Sequence, residues 1–186
     1  GLLIDLSLTG GGSRIMLSNE GLGYAGAWDF LAGTAVPLLL RGSGRGLVIP
    51  RGITDPWGLR DVNPSLVDKL LLMSERAGLE YGVTNIIVDL GYPISESLYR
   101  HLLRQARVLI VTTLPGFETN IVKNLFNIAS SENFYGRVIL VINRTAPLLE
   151  QLFNFTHNMQ YDLILLPEAY SVRLAVDYYQ KPPSIM

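Results

Sequence analysis

Short apolar runs alternate with amphipathic stretches along almost the whole chain, and this alternation constrains the fold more than any other feature. Six runs read as strands, and the last four are uninterrupted Val, Ile and Leu segments, a pattern typical of strands covered on both faces. The six predicted strands are Leu2–Ser7, Gly46–Pro50, Asn85–Leu90, Val108–Thr113, Arg137–Asn143 and Asp162–Leu166.

The amphipathic stretches between these strands predict helices. The clearest runs from Pro64 to Ala77, with Asn63 as N-cap, Pro64 at the first helical position and Gly78 as C-terminal stop. The glycine-rich region 9–60 is expected to hold loops, a short helix near Ala25–Leu31 and a hairpin. The other predicted helices are Ser95–Gln105, Phe117–Ser130, Ala146–Asn154 and Ser171–Tyr179. This order predicts a single α/β domain over residues 1–186, with a mostly parallel open sheet flanked by helices on both faces.

Composition narrows the classes of function. The chain has 186 residues, with 15 Lys and Arg against 16 Asp and Glu. This balance argues against a nucleic-acid-binding domain built on a broad basic surface, though not against a small local patch. No apolar run approaches the ~18–20 residues that span a bilayer. Without Cys, and with two His, disulfides and the common zinc sites are excluded. A cytoplasmic-type globular domain is the remaining expectation.

Polar residues follow the predicted strands at the edge where parallel sheets bind ligands. Asp89 ends the run Ile86–Val88 and is followed closely by Gly91. A carboxylate there can hold a hydrated Mg²⁺, and a glycine beside it allows the backbone to approach a phosphate. The alternative is that Asp89 only caps the next turn.

The polar residues at the other strand ends each have two possible roles. The segment Thr9–Ser13 (TGGGS) invites comparison with a phosphate loop, since successive amides form an anion nest. However, the chain contains no Gly-Lys dipeptide, so a surface loop is favoured. Asn143 either reads a base edge or forms an Asx-turn, and Arg144 either contacts phosphate or is solvated. His101 and His157 have no Ser or Cys partner at a strand end, which gives a hydrolytic triad poor support.

The order of these motifs along the chain also resembles that of a known family. Leu2–Leu8 (LLIDLSL) resembles the family's second strand, Ile86–Gly91 its Walker B strand with the switch II glycine, and Val141–Arg144 its base-recognising Asn motif. Further similar segments are Gly26–Gly33, Gly46–Gly52, Pro64–Ala77, Val111–Pro115 and Leu165–Pro182. Together they resemble the MinD/ParA family of deviant-Walker-A P-loop ATPases, and within it the CpaE/TadZ branch tied to pilus assembly and polar positioning.

The resemblance implies a nucleotide-dependent switch that dimerises over ATP and Mg²⁺ and positions or assembles a cellular structure through a protein partner. It implies a cytoplasmic location, with any membrane contact peripheral. No nucleic-acid partner is predicted, because the charge balance argues against a broad basic surface. By the same resemblance, Asp89 is the carboxylate linked to Mg²⁺, Asn143 reads adenine and the backbone of Pro167 flanks the base. The remaining cofactor-binding positions carried over from the family are Asp5, Gly91 and Arg144.

Two departures from the family pattern bear on activity. The KGGxGK[ST] loop, with the first strand and first helix, is absent from the sequence and is expected upstream of Gly1. Ser7 stands where the family has a second Asp that orients the attacking water, so no catalytic residue is assigned. This chain is therefore expected to bind no ATP or Mg²⁺ by itself. The alternative function is a non-catalytic scaffold of the same fold that binds proteins; a small-molecule enzyme has no acid–base constellation to support it.

The absent strand leads to a structural expectation. In the family it lies inside the sheet, beside the strands corresponding to Leu2–Ser7 and Asn85–Leu90. Its loss would leave open strand edges and an uncovered apolar face, so either self-association, with strands exchanged, or repair by a segment from Thr9–Arg60 is expected.

Overall fold

The computed structural model describes residues 1–8, 13, 16, 17, 23–42, 46–58, 62–92, 95–114, 119–145 and 158–167. These residues divide into two units, a first unit that extends to Leu98 and a second unit that begins at Tyr99. Both units contain strands and helices, so the predicted α/β class is confirmed. No helix among the described residues is long and apolar enough to cross a membrane.

The first unit is built on a mixed four-stranded sheet. Its strands are β1 (Leu2–Asp5), β2 (Leu40–Arg41), β3 (Leu47–Ile49) and β4 (Ile86–Asp89), which lie in the order β2-β3-β1-β4. The pairs β1–β3 and β1–β4 are parallel, whereas β2 and β3 form the antiparallel hairpin that the glycine-rich region was expected to contain. Buried residues concentrate on β1 and β3, so the core lies at the centre of this sheet.

The direct pairing of β1 with β4 corrects one expectation. Both edges of β1 are hydrogen-bonded, one to β3 and the other to β4, so no strand can lie between β1 and β4. The expectation of an open edge beside β1 is therefore wrong. Within the described residues, β4 is paired along one edge only.

The described residues of the first unit form the helices α1 (Ala27–Leu31) and α2 (Pro64–Glu80) and a 3₁₀ turn at Pro56–Gly58. The start of α2 is confirmed, because the Asn63 side chain accepts a hydrogen bond from the Ser65 amide at 3.0 Å, and Pro64 opens the helix.

The predicted end of α2 is wrong. Gly78 does not stop the helix but lies buried inside its last turn, where a Cβ would meet the Val83 side chain at 3.3 Å. The helix ends at Glu80, and Gly82 takes the left-handed conformation with φ of +67°. The glycine that permits the turn therefore comes four residues after the predicted one.

The second unit is built on a three-stranded parallel sheet, in the order β5-β6-β7. Its core is formed by Val122 and Phe126 of one helix packed on Val111, Val138 and Leu140 of two strands. The elements in chain order are α3 (Glu96–Leu103), β5 (Val108–Thr113), α4 (Thr119–Ser131), β6 (Arg137–Thr145) and β7 (Asp162–Pro167).

All six predicted strands are present in the structure, but their side chains are less buried than expected. The described strands form two sheets rather than one, and only β6 among the four uninterrupted runs is largely buried. Exposed side chains such as Ile87 on β4 and Ile110 on β5 belong to strands at sheet edges. The predicted helices Ala146–Asn154 and Ser171–Tyr179 lie outside the described residues.

Candidate functional site

Two aspartates end neighbouring parallel strands of the first unit. Asp5 is the last residue of β1, Asp89 is the last residue of β4, and the two are register partners. Because register partners on adjacent strands project to the same face of a sheet, these carboxyl groups lie side by side. The sequence-based expectation that both belong to one site is consistent with this geometry.

The carboxylate of Asp5 is fully buried and its hydrogen-bonding capacity is used inside the protein. Its Oδ1 accepts from the amide of Ser7 at 3.0 Å and from the Ser7 hydroxyl at 2.5 Å. Its Oδ2 accepts from the amide of Ser13 at 2.8 Å. Asp5 is 0% exposed and Ser7 only 2%, so Asp5 ties the turn after β1 to the segment that follows it.

Asp89 is half-buried and far less well supplied with donors. Its Oδ1 accepts a hydrogen bond from the amide of Gly91 at 2.9 Å, and the carboxylate accepts no other from the described residues. Burial raises the pKa of Asp89, the bond from Gly91 offsets part of that rise, and the negative charge of Asp5 adds to it. Its charged form is therefore disfavoured in the absence of a cation.

Gly91 brings the turn after β4 against the turn after β1. Its φ is +57°, and a Cβ at this position would lie 2.6 Å from the Cβ of Ser7 and 3.2 Å from its Cα. Both the backbone conformation and the available space therefore require glycine. The ladder bond from the Leu6 amide to the Asp89 carbonyl, at 2.7 Å, fixes the same junction.

A third buried carboxylate, Asp29 of α1, was not identified from the sequence. It is 5% exposed, and its Oδ2 accepts from the amides of Gly26 at 2.7 Å and Ile53 at 3.0 Å. Its Oδ1 accepts from the amide of Thr54 at 2.8 Å and from the Thr54 hydroxyl at 2.5 Å. These bonds hold the turn after β3 against the start of α1.

The pKa of Asp29 moves in the opposite direction from that of Asp89. Burial alone would raise the pKa of Asp29, but the hydrogen bonds from the Thr54 side chain and from the backbone of Gly26, Ile53 and Thr54 outweigh burial and lower it. The spacing of Gly26 and Asp29, at N-cap and N3, is half of a capping box and is the sequence signal that could have found this residue.

The other predicted site residues lie in the second unit. Asn143 pairs with Leu166, Thr145 pairs with Pro167, and the register is irregular between Asn143 and Thr145. Since β6 continues to Thr145, an Asx-turn that leads out of the strand at Asn143 is wrong. Asn143 and Pro167 therefore share the carboxyl edge of this sheet.

Several predicted features have no described geometry. The backbone of Arg144 belongs to β6, but its side chain lies outside the described residues, as do Thr9–Gly12 and His157. His101 lies on α3, where its Nε2 is 3.3 Å from the side-chain amide of Gln105.

The carboxylates of the first unit can be tested against the requirements of Mg²⁺, which takes one or two carboxylates and completes its shell with water and phosphate oxygens. Asp89 fits this role because, within the part of the chain that the structure describes, it has one donor, and its pKa is raised. Asp5 fits it poorly because three internal donors already occupy it. Among the described residues, no three His, Cys, Asp or Glu side chains converge to form a larger metal site.

Comparison with known proteins assigns no relative: no protein-family model matches the chain, and no curated protein matches it.

Proposed function

We propose that the first unit is part of a MinD/ParA-like, nucleotide-dependent switch ATPase domain that serves the positioning or assembly of a cellular structure. We further propose that this chain by itself is catalytically silent. The observation that carries the proposal is the contrast between two register partners: Asp5 is saturated by internal donors, whereas Asp89 has one donor among the described residues and a raised pKa.

In this proposal Asp89 holds Mg²⁺, directly or through a bound water. A cation at Asp89 would offset both its burial and the repulsion from Asp5, so the ion gains most at this carboxylate. A shift of the turn at Gly91 on ion binding would move Ser7, because the backbone of Gly91 packs directly against Ser7. Asn143, Arg144 and Pro167 are the positions that the family resemblance assigns to the nucleotide.

The second candidate function is a scaffold of the same fold that does not hydrolyse nucleotide. It is favoured by the state of Ser7, whose hydroxyl is buried and donates to Asp5. A hydroxyl committed in this way does not supply the carboxylate that orients water in the family. The two candidates differ in nucleotide binding, and this makes them separable.

Calorimetric titration with Mg-ATP tests the proposal. We expect no micromolar binding to this chain, because few fixed donors are available for a triphosphate without a Gly-rich loop and its Lys. A longer form of the protein whose added residues include such a loop is expected to bind, and to lose affinity when Asp89→Asn is introduced but not with the exposed control Asp55→Asn. If a longer form carries the loop and Asp89→Asn leaves binding unchanged, the assignment of Asp89 fails.

Hydrolysis separates the switch from the scaffold. In a longer form that binds ATP, Ser7→Asp is expected to raise the rate of phosphate release, because it restores the carboxylate of the family pattern. An unchanged rate would contradict the role assigned to position 7. A longer form that does not bind Mg-ATP would leave the scaffold as the better description.

A further inference from the structure

The amino ends of the strands in the second unit carry a surface that the proposed switch does not use. We define the amino-edge patch as Arg104, Arg107, Tyr135 and Arg137. Arg107 directly precedes β5 and Arg137 opens β6, so both lie at the opposite edge of the sheet from Asn143. Six residue steps along β6 separate the two edges by about 20 Å.

Tyr135 stands on a turn whose backbone is held at several points. The ring is 94% exposed. On one side, the Phe134 amide donates to the Ala129 carbonyl at 3.0 Å, and on the other the Arg137 amide donates to the Arg107 carbonyl at 3.0 Å. The turn is therefore anchored to α4 and to β5, and it presents an aromatic side chain whose backbone needs no further ordering on binding.

Among the described residues, arginines outnumber carboxylates at this end of the unit. Glu132 is bonded to Arg100 at 2.8 Å and to Arg104 at 3.0 Å, and Asp162 to Arg137 at 2.6 Å. The fourth arginine, Arg107, is exposed and makes no side-chain hydrogen bond or ion pair within the part of the chain that the structure describes. Positive charge is therefore in excess around Tyr135.

The guanidinium groups of the patch also have N–H donors that are not used by their carboxylate partners. Arg104 and Arg137 both bind their carboxylates through Nε, and the side chains are 64% and 66% exposed. Within the described residues, their terminal nitrogens make no further hydrogen bond. Guanidinium groups with free terminal nitrogens recognise carboxylates in a planar, two-bond geometry.

We propose that the amino-edge patch docks an acidic segment of a partner protein, with partner carboxylates on the arginines and an apolar partner side chain on Tyr135. Tyr and Arg are the residue types that contribute most to protein interfaces. Glu132 and Asp162, which pair with two of the patch arginines, reduce the local positive charge and so disfavour a nucleic-acid backbone or an anionic membrane. The proposal uses no residue of the switch and stands independently of it.

The test uses a short synthetic peptide rich in Glu and Asp with one central Phe, titrated into ¹⁵N-labelled chain. Amide shift changes are expected to concentrate at residues 104–107 and 131–137, and the affinity should fall as salt is raised. Tyr135→Ala and Arg107→Gln are each expected to weaken binding about 3- to 10-fold, and the pair by more than about 10-fold.

Tyr81→Ala and Arg76→Gln are the matched controls, since both residues are exposed and lie on or beside α2 of the first unit. They are expected to leave the affinity unchanged. All four variants replace exposed side chains, and retained dispersion of the amide spectrum verifies that each is folded.

Three results would overturn the proposal. The first is an absence of shift changes at millimolar peptide, and the second is an equal loss of affinity in the control variants. The third is tighter binding, by the same residues, to duplex DNA or to vesicles containing phosphatidylglycerol, which would assign the patch to a different class of partner.

Discussion

Two turns at the carboxyl edge of the first sheet use their carboxylates in opposite ways. The turn after β3 closes on Asp29, which receives four hydrogen bonds and has a lowered pKa. The turn after β4 begins at Asp89, which receives one hydrogen bond from the described residues and has a raised pKa. Burial raises the pKa of both carboxyl groups; four hydrogen bonds outweigh it at Asp29, whereas the bond from Gly91 does not outweigh it at Asp89.

This difference separates a structural carboxylate from one suited to a ligand. A buried charge that is fully hydrogen-bonded stabilises the loops that surround it, and a cation would find little left to bind. A buried charge with few donors is poorly stabilised in the free protein and gains most from a bound cation. Asp29 therefore has a structural role, and Asp89 is the carboxylate that we propose binds a cation.

The largest expected effect comes from Asp29→Ala, which leaves the donors of Gly26, Ile53 and Thr54 without their acceptor. We expect the free energy of unfolding of the first unit to fall by about 4 kcal/mol. Urea denaturation followed by tryptophan fluorescence measures this, because Trp28 and Trp57, the two tryptophans of the chain, both lie in the first unit.

Asp55→Ala is the control for this experiment. Asp55 is exposed and accepts one hydrogen bond, from the Trp57 amide at 3.1 Å, so its loss should cost no more than about 1 kcal/mol. Similar losses from the two variants would show that the bonds of Asp29 contribute little, and the comparison between the turns would fail.

A second prediction concerns the turn after β4. Gly91→Ala places a methyl group against the backbone and side chain of Ser7 at a positive φ, and is expected to cost about 3 kcal/mol. Gly82→Ala has a similar φ of +67° but no atom within 4 Å of the added Cβ, so it should cost about 1 kcal/mol. Equal costs in the same denaturation assay would mean that Gly91 is required for its φ alone and not for contact with Ser7.

The smallest expected effect is an increase, not a decrease, in the free energy of unfolding. Because the pKa of Asp89 is raised in the folded state, the stability that it contributes is present below the ordinary Asp pKa of about 4 and is lost as the pH rises through the folded pKa. Asp89→Asn should therefore stabilise the first unit at pH 7 by about 0.2–1 kcal/mol, as expected for removing one of two like charges that lie opposite.

The gain from Asp89→Asn should vanish at a pH low enough to protonate Asp89 in the wild-type chain. Denaturation curves of both proteins across this pH range measure the change. A loss of stability at pH 7 would contradict the assignment, because it would mean that the charged form of Asp89 is well supported by its surroundings.

Sequence patterns located the strands because an uninterrupted apolar run is a local property, and Asn63 before Pro64 marked the start of α2 in the same way. They did not reveal that β4 and β5 end the sheets formed by the described residues, since pairing depends on distant segments. The same limit applies to Gly78. Its position predicts the end of the helix, but it lies within the last turn of α2 and packs against Val83, which follows the helix.

For the site, the strand pattern placed Asp5 and Asp89 at strand ends, and the family resemblance assigned both to one cofactor site. Their different states were not predictable, because Asp5 is saturated in part by the amide of Ser13, eight residues away. Asp29 was missed for a similar reason: its main partners, Ile53 and Thr54, are 24 and 25 residues further along the chain.

The most direct test of the central claim is a pH titration of the side-chain carboxyl ¹³C resonances of Asp29 and Asp89, assigned with Asp29→Asn and Asp89→Asn. The account predicts that Asp89 titrates above the ordinary Asp value and Asp29 below it. In a longer form of the protein that carries the Gly-rich loop and holds ATP, added MgCl₂ should lower the midpoint of Asp89 and leave that of Asp29 unchanged. Coincident midpoints, or the reverse order, would contradict the division of the two carboxylates into one that holds the fold and one that binds a cation.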